Sequence, residues 1–329
     1  MVKIIAEIGI NHNGNFELAE KMIISAAKNG ADFVKFQTHI PECEMVKDIG
    51  DRVTVLNNIY EIIKSFSLTE KEMKMLKAVC DSLGVIFLST PFSLEAVDEL
   101  ERLGVKYYKV GSGETNDFLL LDSLAKTKKP LFVSTGMSNW EEICKTVLFL
   151  QERDVEFTLM QCTSEYPASF DTLNLGVIQM YQETFCCPVG FSDHSPGILA
   201  SILAMGTGVS LIEKHFTLSR DLPGPDQSAS IEPQELKSLS EAAKIADIAL
   251  NNNKVQHVQD NVKKLFNHSL VAKEIIPRGS ILNISMLTSK RPCDGIPSFE
   301  LNKVIGSISI TDILKDKPIM WEDIKHDTI

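Results

Sequence analysis

The sequence predicts an α/β fold: a TIM (β/α)8 barrel over residues 1–250, followed by a small mostly-β domain. Three observations lead there. Eight strand-like runs alternate with helix-like runs from the N-terminus to about residue 250. Polar and charged residues gather where the strand-like runs end, which is the face at which a barrel carries its site. The alternation then breaks: Asn251-Asn252-Asn253 and a polar stretch read as a linker over 251–266, and 267–329 reads as short β units.

In order, the strand runs are KIIAEI (3–8), DFVKFQ (32–37), VIFLS (85–89), KYYKV (106–110), PLFVS (130–134), FTLMQC (157–162), PVGFS (188–192) and VSLIEK (209–214). Between them lie helical patterns such as 16–30, 68–84 and 94–104, with Gly30, Gly84 and Gly104 as C-terminal stops. A doubly wound sheet is the alternative, but no glycine-rich nucleotide turn follows the first strand. Residues 267–329 carry an internal echo at an offset of 38, in which Glu274-Ile275-Ile276 matches Asp312-Ile313-Leu314, Ile281 matches Ile319 and Met286 matches Ile324. Two similar β units in so short a stretch suggest a pseudo-symmetric fold with a marginal core of its own.

A formal net charge of −11 argues against a general nucleic-acid binder, though a local cluster of lysines can still receive an anion. The seven cysteines are scattered without a CxxC pair and read as reduced, mostly packed thiols. Glu7 interrupts the first apolar run too early for a signal peptide, and no run approaches the ~20 residues that span a bilayer. The expected location is the cytoplasm, with no membrane partner.

The strand ends supply the chemistry. His194 in GFSDHS and His215 in EKHF lie 21 residues apart, about one strand–helix unit, which places them at the same end of adjacent strands. They are either two unrelated histidines or a pair able to hold a divalent metal with positions left open. Lys35 and Lys109 point inward on the barrel reading. With Ser112, Ser134 and Ser192 near, they suit an anion pocket better than a lone Schiff-base lysine; the plain alternative is a salt bridge to Glu7 or Glu114. Glu114, in GSGE, is a candidate general base or else a helix-starting carboxylate. Asp226, in DLPGPDQSAS, is a substrate contact or a turn aspartate. His12 reads as a support for its loop, and His39, His257, His268 and His326 as structural or exposed.

Taken together, AEIGINHNG (6–14), VKFQTH (34–39), STPF (89–92), YKVGSGE (108–114), STGM (134–137), QCTSEYP (161–167), GFSDHS (190–195), EKHF (213–216), PGPD (223–226) and KRP (290–292) resemble the N-acetylneuraminate synthase (sialic acid synthase) family, in the family's order along nearly the whole chain. The resemblance implies a barrel followed by an antifreeze-like (SAF) domain. It implies condensation of phosphoenolpyruvate with N-acetylmannosamine or a related aldose, giving a nine-carbon keto sugar acid and phosphate. It implies manganese or magnesium, and a domain-swapped homodimer in which one subunit's small domain covers the other's barrel.

By position, the resemblance makes His194 and His215 the metal ligands. Lys35, Lys109, Ser112, Ser134 and Ser192 become the phosphoenolpyruvate contacts and Glu114 the base for the attacking water. Glu7, Gln37, Tyr166 and Asp226 would stand around sugar or metal, and Arg291 would reach the acylamino group across the dimer. Ser164 stands where the family often has Asn, removing an amide near the phosphate. Cys293 replaces the Gly of a KRPG motif, and NHSL (267–270) lacks a basic pair. Legionaminic and pseudaminic acid synthases share much of this site. AEIGINHNG and VKFQTHI resemble the neuraminate branch more than the pseudaminate one, and the legionaminate substrate remains the alternative. A Schiff-base aldolase and a non-catalytic carbohydrate- or ice-binding protein are further readings.

Overall fold

Each apolar run becomes a strand paired in parallel with its neighbours. The computed structural model describes residues 1–46, 53–251 and 259–325, and the side chains of these apart from 53–58. In it, β1 (Lys3–Gly9), β2 (Phe33–Thr38), β3 (Ile86–Pro91), β4 (Tyr108–Val110), β5 (Leu131–Ser134), β6 (Phe157–Cys162), β7 (Val189–Asp193) and β8 (Leu211–His215) form one sheet. The order is β3-β2-β1-β8-β7-β6-β5-β4. The first strand pairs with both the second and the eighth, so the sheet curls, and β3 and β4 come side by side at its ends. The result is a nearly closed barrel.

Helices after each strand carry the chain back. They start where side chains satisfy the first free N–H groups: Asn15, Ser93 and Asp117 accept from the next turn, and Thr69 with Glu72 and Asn139 with Glu142 form capping boxes. Gly84 and Gly104 end two of them in the left-handed conformation, at φ 73° and 68°.

Strand alternation sorts the side chains. Outward residues such as Ile4, Val34, Leu131, Leu159 and Ile212 pack against the helices. Inward residues form two tiers. The lower one is apolar, a cluster of Ile5, Phe33, Leu88, Phe132, Met160 and Leu211. Two positions further along each strand the inward residues are Glu7, Lys35, Thr90, Ser134, Cys162 and Glu213, and these line a cavity. The barrel therefore has an apolar floor beneath a charged mouth.

The chain divides into two units, Met1–Asn252 and Asn253–Ile329. Within the stretch read above as a linker, Asp260–Phe266 is helical, while 252–258, His257 included, lies outside the described residues, as does His326. In the second unit β9 (Ser269–Ala272) pairs antiparallel with β10 (Leu287–Lys290), and β11 (Ile308–Ser309) with β12 (Ile324–Lys325). The internal repeat is real but its offset is 37, as in Ile276 to Ile313, not 38. Reciprocal main-chain bonds define it: Ile276 N to Ile313 O and Ile313 N to Ile276 O, both 2.8 Å; Leu282 N to Ser307 O, 2.8 Å, mirrored by Ile319 N to Leu270 O, 2.9 Å. Burial agrees. Ile276 and Ile313 are buried together, whereas Ile275 and Leu314 are exposed. Reading similar residue types at 38 placed the match one residue out of step.

Among the described residues, no helix is long and apolar enough to cross a membrane.

Candidate active site

A cavity of about 220 Å³ opens at the C-terminal ends of the barrel strands. Glu7, Lys35, Gln37, Lys109, Ser112, Glu114, Ser134, Ser164, Tyr166, Ser192, His194 and His215 all line it, so twelve of the residues singled out above come together. Asp226 stands beside it, its carboxylate 3.8 Å from His215 Nδ1. Arg291 belongs to the second unit, where it is exposed with its guanidinium 5.8 Å from the Phe266 ring.

Two lysines form one wall. Lys35 Nζ lies 2.9 Å from Glu7 Oε1, 3.8 Å from Glu213 Oε2 and 3.3 Å from Thr90 Oγ1. Burial works against its charge, but Glu213 and Glu7 outweigh it and hold the ammonium pKa above its usual value. Lys109 donates to Ser134 Oγ at 2.5 Å and to the Val110 carbonyl at 2.8 Å. Burial pushes its pKa down. Glu213 is held below the usual range because Lys109 and Lys35 overcome its burial, and Ser192 Oγ donates to it at 3.1 Å. Burial instead raises Glu7 to about 7, even against Lys35. The salt-bridge alternative for the lysines thus holds for Lys35, yet Glu7 Oε2 and Glu213 Oε2 remain buried without hydrogen-bond partners. Such groups call for a polar occupant.

Glu114, in the loop that follows β4, lines the same cavity. The next helix, Phe118–Lys126, is capped by Asp117, so Glu114 is not a helix cap. Burial raises its pKa to about 7, against the pull of Lys109. Its carboxylate needs Gly111: a Cβ there would meet Glu114 Oε2 at 2.3 Å. Gly136 is needed likewise, since its Cβ would meet Ser164 Oγ at 2.4 Å and Cys162 Sγ and Ser112 Oγ at 2.9 Å.

The two histidines form the opposite wall, with ring centroids 5.3 Å apart. Tyr166 covers them, 4.1 Å from His194 and 5.6 Å from His215, centroid to centroid. His194 Nδ1 bonds the Thr163 carbonyl at 2.8 Å. Burial opposes its protonation, but Cys162 beside it and that carbonyl raise its pKa. His215 is forced well below the usual range by burial and then by the charge of His194, and its Nδ1 is buried with no hydrogen-bond partner. A neutral imidazole with a free, buried nitrogen beside a second imidazole and near a carboxylate fits a divalent cation. Among the described residues no three His, Cys, Asp or Glu side chains form a metal cluster.

Several residues were given no site role in the sequence reading. Glu213 lies two positions before His215 on one strand, so alternation alone puts both inside. Thr90, Phe92 and Cys162 also line the cavity. The cysteines are mostly packed, as expected: Cys80 and Cys162 are buried, and only Cys43 and Cys186 are exposed. His39, read as structural or exposed, is half-buried and stacked on Phe92; its Nε2 lies 3.1 Å from Gln37 Oε1 and its Nδ1 3.0 Å from Glu44, and Gln37 in turn donates to Glu7 at 3.2 Å. His12 does support its loop, accepting from Gly14 N at 3.1 Å.

Comparison with known proteins decides the family. The NeuB family model matches residues 22–255, and the SAF domain model matches 267–325. The chain belongs to the NeuB family. As a member it is an enzyme, a carbon–carbon bond-forming synthase of the sialic, legionaminic and pseudaminic acid class. The N,N'-diacetyllegionaminic acid synthase of Campylobacter jejuni is 38% identical to it over 96% of this chain and 98% of its own. The human N-acetylneuraminate-9-phosphate synthase is 32% identical over 97% and 91%. A crystal structure of N-acetylneuraminic acid synthetase from Leptospira borgpetersenii, in complex with citrate, matches with a TM-score of 0.73 and 31% identity, covering 80% of this chain and 89% of that one.

Proposed function

We propose that this NeuB-family enzyme condenses phosphoenolpyruvate with an acylamino aldose and water, giving a nine-carbon 2-keto sugar acid and phosphate. The observation that carries the reading is the pairing of two buried lysines with the half-buried Glu114 and a histidine pair in one cavity.

Lys35 and Lys109, with Ser112, Ser134, Ser164 and Ser192, hold the phosphate and carboxylate of phosphoenolpyruvate, where charge-assisted bonds in a dry site are strongest. Glu7, Gln37, Tyr166 and Asp226 orient the sugar. The methylene carbon of phosphoenolpyruvate attacks the aldehyde carbon: one carbon–carbon bond forms, the carbonyl π pair passes to the aldehyde oxygen, which takes up a proton to become a hydroxyl, and the enol carbon is left electron-poor. Water adds to the neighbouring enol carbon and gives a proton to Glu114, whose pKa near 7 suits a base at neutral pH. Collapse expels phosphate and leaves the ketone. His194 and His215 would hold a manganese or magnesium ion, which when bound polarises the aldehyde as a Lewis acid. Arg291 would serve the acylamino group at the barrel of a partner subunit in a domain-swapped homodimer. The reaction would take place in the cytoplasm.

The aldose is N-acetylmannosamine on the neuraminate reading. The second reading, 2,4-diacetamido-2,4,6-trideoxymannose, is favoured by the higher identity to the Campylobacter jejuni relative, 38% against 32% for the human one. Phosphate release from phosphoenolpyruvate with each sugar, with manganese and after chelation, tests both. Release with one sugar names the branch. No release with either, in folded metal-loaded protein, together with borohydride trapping of Lys109 by pyruvate, would replace the synthase with a Schiff-base aldolase.

A further inference from the structure

Neighbouring residues of a strand face opposite sides of the sheet. The residues beside the two histidines, Asp193 and Lys214, therefore point out of the cavity toward the helix Leu199–Met205. They are register partners across β7 and β8, and both side chains are wholly buried. Lys214 Nζ lies 3.2 Å from Asp193 Oδ2 and also donates to the Ser195 carbonyl. Asp193 Oδ1 accepts from Ser195 N at 2.8 Å and Ser195 Oγ at 2.7 Å, and Oδ2 accepts from Ser201 Oγ at 2.5 Å. Both residues flanking His194, and the residue preceding His215, are thus tied into one closed network. A buried ion pair contributes little stability compared with apolar packing of the same volume. What this one does secure is geometry, because it ties the ends of the two histidine-bearing strands together from behind.

We propose that Asp193 and Lys214 are positioning residues: their pair clamps the ends of β7 and β8 so that His194 and His215 keep one fixed separation. The proposal rests on the reading of that pair as the cation ligands. The test uses the full-length Asp193→Leu/Lys214→Met double variant, in which apolar side chains fill the same space, with Ser201→Ala as a milder variant should the double variant not fold. Manganese binding by calorimetry, the histidine ring ¹⁵N signals, kcat, KM and thermal unfolding without metal are measured. The expected result is a folded protein whose manganese affinity falls at least tenfold, whose kcat falls while KM for phosphoenolpyruvate stays within about twofold, and whose His194 and His215 ring signals move. Lys214→Arg alone, which keeps a cation for Asp193, should lose less affinity than Lys214→Met alone. Unchanged manganese affinity and unmoved ring signals in the folded variant would overturn the clamp. Should the wild-type protein bind no manganese, the metal reading falls and the ring signals alone decide: moved signals keep the clamp, unmoved signals reject it.

Discussion

Lys35 Nζ and Glu7 Oε1 face each other at 2.9 Å across β1 and β2, both almost wholly buried. The pair holds a cation ready for an anionic substrate, but it also makes Lys35 structurally expensive to remove. Lys35→Met should raise KM for phosphoenolpyruvate at least tenfold. It should also lower stability by about 3 kcal/mol, because carboxylates are left buried without their cation. Substrate titration and urea unfolding check this; a wild-type KM would remove Lys35 from the anion pocket.

Glu114 should set the acidic limb of the pH–rate profile. A base must be ionised, and burial raises this carboxyl from 4.5 to about 7, so kcat/KM should climb with pH and level off above about 7. Glu114→Gln should lose the limb along with at least ~100-fold in kcat, while still binding phosphoenolpyruvate.

The same shift has a stability sign. The folded chain keeps this proton longer than the unfolded one, so the associated stability is full below pH 4.5 and lost as pH rises through about 7. Relative to Glu114→Gln, the wild type should therefore weaken by up to about 3 kcal/mol between those limits. Paired urea unfolding curves at pH 5 and 8 read it directly; a constant difference between the two proteins would show that the carboxyl titrates normally.

Gly111→Ala should act through Glu114. The added methyl would fall 2.3 Å from Glu114 Oε2, so the carboxylate must swing away. The expected outcome is a loss of kcat approaching that of Glu114→Gln, with a normal unfolding midpoint. Full activity would mean that Glu114 works from another position.

His215→Ala should abolish turnover and manganese binding while the barrel stays folded. Binding itself should weaken as pH falls, because His194 must give up its proton to serve as a ligand. Undiminished activity in metal-stripped protein would remove the histidine pair from catalysis.

Much of this was legible in the sequence because barrel strands advertise themselves. Each has an apolar start, and the polar residue that ends it is carried into the cavity by a period of two. What escaped was what neighbouring elements add. Glu213 was visible beside His215 but gained meaning only between Lys35 and Lys109. His39 is structural, as expected, holding Gln37 and Glu44 beside the cavity. The repeat of the small domain was seen one residue out of step, since chemical likeness between aliphatic residues does not report which of two adjacent ones faces the core.

That repeat has a consequence for how the small domain can come into being. Each half holds a short strand pair of its own, but the two halves also exchange main-chain hydrogen bonds, Leu282 with Ser307 and Leu270 with Ile319, so each supplies a partner edge to the other. Neither half is a self-sufficient seed. A chain cut between them should yield two unstructured peptides that fold only on meeting, and during synthesis the first half must wait, unsheltered, until the second has emerged.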